Sequence, residues 1–286
     1  MIRMEWTFQG CGDTELYVRE WKPDKERPKG VLCLIHGMGE HGERYSAYAA
    51  KLVAARYVVI ALDQQGHGRS SGPRGHLPSV DDAAAHAAML VEQAAQRYPE
   101  LPIFLYGHSM GGNIAMNCAL RLQPAVKALV LSSPWLRLAF TPPRAQLWLG
   151  KRLAAFWPGL PQSTGLGSGK LYRRGYEEAV HIEGDPLCHT RITVKTFLSL
   201  HDSGEWAIAN CGQLHVPLLL IHGAADKITS HNASEQVAQR LGEACTFVSW
   251  PDGYHELHND LEAQRFIEVV TNWLDMHTDE YKDHAI

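Results

Sequence analysis

A serine that attacks a carbonyl needs an exposed Oγ, a base to take its proton, an acid to hold that base, and amides to receive the charge that forms on the carbonyl oxygen. The segment Gly107-His108-Ser109-Met110-Gly111 meets the first requirement. It lies directly after the apolar run Ile103–Tyr106 and directly before a helical segment, Asn113–Leu122. In a strand-turn-helix elbow of this kind the central serine takes a strained backbone conformation that pushes Oγ out of the sheet. The residues two before and two after must then lack side chains, because a Cβ there collides with a neighbouring strand or helix, and Gly107 and Gly111 lack them. The five-residue pattern also describes a plain glycine-rich turn; its position after a buried strand favours the nucleophile. Met110 supplies one oxyanion amide, and the following helix points its positive dipole end the same way. The loop His36-Gly37-Met38-Gly39, after the first parallel strand, offers the second amide, from Met38.

Acid and base follow such a serine in the order Asp/Glu, then His. Asp226, in Gly223-Ala224-Ala225-Asp226-Lys227, sits at the carboxyl end of the strand Pro217–Ile221, where side chains face a site above the sheet. His255 ends Pro251-Asp252-Gly253-Tyr254-His255, just past the last strand. Asp63 and Asp252 compete as acids, but the first precedes the serine and the second belongs to the histidine's own loop; both read as turn-forming or capping carboxylates. His258 and His231 are rivals of His255, while His36, His67 and His108 read as structural hydrogen-bonders. The expected triad is Ser109, Asp226 and His255, a set suited to acyl transfer.

The elements that must position these residues are legible as well. Met4–Phe8 and Leu16–Trp21 flank a Gly10/Gly12/Asp13 turn and predict a hairpin. Val31–Ile35, Val58–Leu62, Ile103–Tyr106, Ala128–Leu131 and Pro217–Ile221 are short continuous apolar runs, the mark of parallel strands buried on both faces. Helical patterns lie between them: Tyr45–Arg56, Val80–Arg97 with Ser79 as N-cap, Asn113–Leu122 and Ser234–Leu241. A last strand, Thr246–Trp250, precedes a C-terminal helix from Leu261 to Met276 and a polar tail from Asp279 expected to fray. The alternation is α/β. About eighty residues between Ser132 and Pro217 exceed an ordinary connection and predict a cap, 137–210, inserted into a core of 1–136 and 211–286. Within the cap, Gly165–Gly169 reads as a mobile stretch.

Composition excludes several function classes. With 27 basic and 31 acidic residues and no basic run, nucleic acid is not an expected partner. No apolar stretch approaches the roughly 18 residues that cross a bilayer, and Met1–Trp6 does not read as the start of a secretion signal, so a cytoplasmic protein is expected. The six cysteines read as reduced thiols. His255-Glu256-Leu257-His258 has the wrong spacing for two ligands on one helix face, so no metal is expected, nor any cofactor.

Taken together, His36-Gly37-Met38-Gly39-Glu40-His41, Asp63-Gln64-Gln65-Gly66-His67-Gly68-Arg69-Ser70, Gly107-His108-Ser109-Met110-Gly111-Gly112 and Tyr254-His255-Glu256-Leu257-His258 resemble the monoacylglycerol lipase and lysophospholipase family of α/β-hydrolases, over nearly the whole chain. So does the cap segment Glu183-Gly184-Asp185-Pro186-Leu187. The resemblance implies an eight-stranded, mostly parallel sheet with a helical cap, an ester of a lipid-like acyl chain as substrate, and a small polar pocket for the glycerol end at Glu40, Arg44 and His258. Read from the residues alone, Glu40 and Arg44 also fit a surface ion pair. Met38 departs from the smaller residue usual in that family and is expected to narrow the acyl entrance.

In the cap, Phe140, Trp148, Leu149, Phe156 and Trp157 alternate with Arg144, Lys151 and Arg152. Packing on the core is the default for such a pattern; peripheral docking on a membrane or micelle is the alternative. Other activities open to the same triad are a lysophospholipase, a short-chain carboxylesterase and a proline-type aminopeptidase. A non-catalytic ligand-binding relative is the reading from outside enzymes.

Overall fold

The computed structural model describes residues 1–165, 168–173 and 184–282. Strands β1 (Ile2–Gln9) and β2 (Glu15–Lys22) form the expected hairpin. There follow β3 (Gly30–Ile35), α1 (Ser46–Ala54), β4 (Tyr57–Asp63), α2 (Val80–Arg97), β5 (Ile103–His108), α3 (Met110–Arg121) and β6 (Ala128–Ser132). The inserted region holds α4 (Arg144–Phe156), β7 (Pro161–Ser163), a four-residue α5 (Ser168–Leu171), β8 (Arg191–Thr193) and α6 (Val194–Asn210). The chain then closes with β9 (Leu218–Gly223), α7 (His231–Leu241), β10 (Cys245–Trp250) and α8 (Ala263–Lys282).

Eight strands make one sheet in the order β1-β2-β4-β3-β5-β6-β9-β10, in which β2 alone runs antiparallel to both its neighbours. The continuous apolar runs are explained by burial on two sides. Along β3, Val31, Cys33 and Ile35 enter the cluster shared with α2 and α3, while Leu32 and Leu34 enter the one shared with α1 and α8. Strands of this kind present no polar face, so a period of two is invisible in their sequence.

The region expected as a cap over 137–210 is of two kinds. Helix α6 lies against α3 in the core layer: Asn113 Nδ2 donates to the Leu200 carbonyl at 2.9 Å and Ser203 Oγ to Asn113 Oδ1 at 2.8 Å. By contrast, α4 buries none of its residues. The short pair β7–β8 joins the two parts, in antiparallel register. Residues Leu166 and Gly167 of the glycine-rich stretch, and Glu183 of the cap motif, lie outside the described residues.

One element runs longer than expected. Helix α8 continues past Met276 to Lys282, so Asp279 is helical rather than the start of a frayed tail. Asp275 is held by Tyr57 Oη and Lys29 Nζ, and Thr278 is buried, which fastens the turn that leads into this segment.

Helix α2, whose Leu90 and Val91 pack under the sheet, starts at Ser79, whose Oγ accepts the Asp82 amide at 3.0 Å. Ser79→Ala strands that donor and is expected to cost about 1 kcal/mol. Equilibrium urea unfolding is the check: the midpoint falls while the slope is unchanged.

Candidate active site

Between β5 and α3, Ser109 adopts φ 53° and ψ −117°, a backbone conformation that costs a non-glycine residue strain. The elbow holds because its surroundings leave no alternative. A Cβ on Gly107 would fall on the Gly111 carbonyl oxygen, and one on Gly111 would fall on that of Ile35 in β3. The Ser109 amide donates to the Ser132 carbonyl at 3.0 Å, so the end of β6 pins the turn.

The three residues expected as a triad come together. His255 Nε2 lies 2.9 Å from Ser109 Oγ, and His255 Nδ1 lies 2.7 Å from Asp226 Oδ2. All three side chains are buried. Burial by itself would raise the Asp226 carboxyl, but the charge of His255 and hydrogen bonds from His222 and His255 override it and hold Asp226 far below the usual carboxylate range. Its oxygens accept the amides of Ile228 and Thr229 at 2.7 and 3.1 Å, and the Thr229 hydroxyl at 2.8 Å. For His255, burial acts to lower its pKa, and the Asp226 carboxylate more than compensates, leaving it raised. A neutral imidazole in this position can take the serine proton through Nε2 while Asp226 fixes the proton on Nδ1.

His222, with Nε2 3.2 Å from Asp226 Oδ2 and Nδ1 2.7 Å from Ser234 Oγ, is a further partner of the acid, and burial keeps it neutral. Neither it nor Thr229 was foreseen from the sequence. Thr229 had a signal, its place three residues after Asp226, from which a side chain can bond back to the carboxylate; His222 had none beyond its strand.

Of the two expected amide donors, Met110 opens α3 directly after the serine, and Met38, in the loop after β3, lines the same cavity as Ser109. That loop is tied from several sides. Glu40 Oε1 accepts the Gly37 amide at 2.6 Å and the Tyr45 hydroxyl at 2.8 Å. His36 Nε2 accepts the Gln64 amide at 3.0 Å. The thioether of Met38 rests 3.4 Å from His67 Nε2.

Glu40 and Arg44 do pair, 2.5 Å apart, but inside the protein rather than on its surface. Arg44 also meets Glu256 at 3.0 Å and the Tyr172 hydroxyl at 2.9 Å. One guanidinium between two carboxylates splits them: burial and the charge of Glu256 raise Glu40, whereas Arg44 overcomes burial at Glu256 and lowers it. His258 stacks on Tyr45 with ring centroids 4.8 Å apart. Burial lowers it to about 4, so it is neutral, and neither ring nitrogen has a protein partner among the described residues. Sequence reasoning missed Glu256, although it stands beside the triad histidine, and Tyr172, whose contact with Arg44 crosses from the inserted region.

Ser109 and Met38 line a cavity of about 580 Å³ together with Trp135, Leu138, Ile192 and Phe197. Helix α4 contributes further leucines to its wall. Among the described residues the lining contains Lys170 and Lys227 but no carboxylate, and Glu40, Arg44 and His258 are not part of it. On the outside of α4, Trp148, Phe156 and Trp157 are 61%, 90% and 64% exposed, with the Arg152 guanidinium 5.3 Å over the Trp148 ring.

A family model described as serine aminopeptidase, S33 (Hydrolase_4) matches residues 26–262. A monoacylglycerol lipase from Mycolicibacterium smegmatis is 31% identical over 96% of this chain and 98% of its own length. A phospholipase from Bacillus subtilis is 28% identical over 90% of this chain and 98% of its own. Among solved structures, the monoacylglycerol lipase of Paleococcus ferrophilus matches with a TM-score of 0.82 at 32% identity, over 92% of this chain and 99% of that one.

The charge relation between Asp226 and His255 fixes a pH dependence. A base must be neutral, so turnover falls as pH drops through the His255 pKa, and because that pKa is raised from 6.5 the acid limb of kcat/KM lies above 6.5. Asp226→Asn removes the group that raises it most and leaves burial, which lowers it, opposed only by the more weakly acting Glu256 and Glu40. The limb should move to lower pH and the rate should fall by about 10⁴-fold. A pH profile of both proteins checks the sign.

Proposed function

The chain belongs to the Hydrolase_4 family of α/β-hydrolases, and from that membership and the geometry around Ser109 we propose that it hydrolyses monoacylglycerol to glycerol and fatty acid through an acyl-enzyme. Ser109 attacks the ester carbonyl. His255 takes the serine proton and returns it to the leaving alcohol, Asp226 holds His255, and the amides of Met38 and Met110 carry the oxyanion until water releases the acid.

The observation that carries this reading is the mostly apolar cavity lined by Ser109, of a size within the range of about 300–1,000 Å³ that small-molecule sites occupy. An acyl chain suits such a wall. A free α-amino end, which an aminopeptidase must hold, needs an acidic group there, and among the described residues the lining has none. Glu40, the residue open to that role, already spends its carboxylate on Gly37, Tyr45 and Arg44. The glycerol end is assigned to the polar cluster of Glu40, Arg44 and His258, where His258 is the member with unused ring nitrogens. A lysophospholipid on the same triad is the second reading. It is favoured by Lys170 and Lys227 in the cavity lining and by similarity to the Bacillus phospholipase.

No helix among the described residues is long and apolar enough to cross a membrane. The exposed aromatic face of α4, flanked by Arg144, Lys151 and Arg152, supports docking of the cap on a lipid surface from which substrate enters. The same reading puts the protein in the cytoplasm, since all six cysteines are free thiols, the state a reducing compartment maintains.

A substrate panel of monoacylglycerols, a diacylglycerol, a lysophosphatidylcholine, p-nitrophenyl butyrate and a prolyl-anilide tests the assignment. Monoacylglycerols should be preferred, and Ser109→Ala should lose on the order of 10⁶-fold in kcat and fail to label with a fluorophosphonate. His258→Phe, which keeps the stacked ring without its nitrogens, should lower kcat/KM for monoacylglycerol by about 2–10-fold and leave p-nitrophenyl butyrate unaffected. Turnover confined to the anilide would overturn the ester reading.

For the surface, Phe156→Ser removes a side chain whose burial is worth about 1.5–3 kcal/mol. Co-sedimentation with phospholipid vesicles should weaken by at least tenfold, with p-nitrophenyl butyrate hydrolysis in solution unchanged.

A further inference from the structure

Where the inserted region returns to the core it lands on the oxyanion loop. The His189 amide donates to the Gly39 carbonyl at 2.8 Å, and Gly39, with φ 78°, is packed so closely that a Cβ would fall on the His189 carbonyl oxygen. Two residues along the loop, His41 Nε2 meets Asp185 Oδ2 at 2.8 Å. The Cys188 amide donates to the Asp185 carbonyl at 3.1 Å, closing a turn that folds the thiol back on the Asp185 carboxylate. A ring nitrogen of His41, a carboxylate oxygen of Asp185 and Cys188 Sγ therefore lie within 4.8 Å of one another. None of the three belongs to the triad or lines the cavity. The His41 side chain is 2% exposed, and its other nitrogen, Nδ1, is buried with no partner.

Imidazole, carboxylate and thiolate are the donor set of zinc, which in tetrahedral coordination spaces its ligand atoms about 3.3–3.8 Å apart. Small rotations of Asp185 and Cys188, both partly exposed, would bring the three donors to that spacing. Three protein ligands with the fourth position toward solvent make an open site. We propose that His41, Asp185 and Cys188 bind a divalent cation of the zinc class and that the ion fastens the inserted region to the oxyanion loop. Binding displaces the Cys188 proton to solvent and shifts that of His41 from Nε2 to Nδ1. Because Nδ1 has no acceptor, the outer support that tightens metal-bound histidines is missing, and affinity should be about 10–100-fold below that of a supported site. The ion thus binds reversibly.

The test uses the full chain after dialysis against a chelator. Titration with Co²⁺ should raise a thiolate-to-cobalt charge-transfer band that Zn²⁺ discharges, and Zn²⁺ should raise Tm. In Cys188→Ser the band should vanish, and at least about tenfold more Zn²⁺ should be needed for the same Tm shift. A measurement that needs no variant is alkylation of Cys188 by iodoacetamide, read by peptide mass spectrometry, which Zn²⁺ should suppress. Absence of the band in the unaltered protein, an equal band in Cys188→Ser, or equal alkylation with and without Zn²⁺ would each overturn the site.

Discussion

Much of this structure is arranged around keeping one buried carboxylate ionised. Asp226 sits where desolvation favours the neutral acid, and a neutral acid there could neither orient His255 nor balance the charge that develops on it. The cost is met locally: two backbone amides, a threonine hydroxyl and two histidines surround its oxygens. Each donor comes from the end of β9, the loop between β9 and α7, or the loop after β10. The parallel sheet therefore does more than bury apolar surface; it brings these strand ends together at one edge, where a charge can be solvated by fixed dipoles instead of water.

A second buried charge group lies beside the first, and the two differ in balance. Glu40, Arg44 and Glu256 set two carboxylates against one guanidinium, with Tyr45 and Tyr172 as hydroxyl partners. Both carboxylates act to raise the His255 pKa, so this group contributes to the electrostatics around that imidazole. It also fixes the loop after β3, because the carboxylate that meets Arg44 is the one that accepts the Gly37 amide. Removing Arg44 would leave two buried carboxylates unpaired, a much larger disturbance than the loss of one surface ion pair.

The inserted region illustrates how one stretch of sequence can serve two layers. Helix α6 is bonded to α3 through Asn113 and Ser203, so it behaves as core, while α4 turns aromatic side chains outward and leucines toward the cavity. Each carries eight apolar residues, in 13 positions of α4 and 17 of α6, so apolar content does not predict which of the two is buried.

What the sequence by itself determined was whatever depends on local sterics and on continuous runs. The elbow glycines around Ser109, the doubly buried strands, the order of serine, acid and base, and the Ser79 cap all follow from constraints acting within a few residues. The pairing of Glu40 with Arg44, four residues apart, was one of two readings the residues left open. What only the tertiary structure decided were contacts across long loops: the burial of that pair, the third and fourth partners Glu256 and Tyr172, the His222 and Thr229 support of Asp226, the assignment of α6 to the core, and the extension of α8 through Asp275. The physical reason is that a side chain's type and its near neighbours limit which partners it could accept, but burial and charge balance are sums over residues that chain folding alone brings within hydrogen-bonding distance.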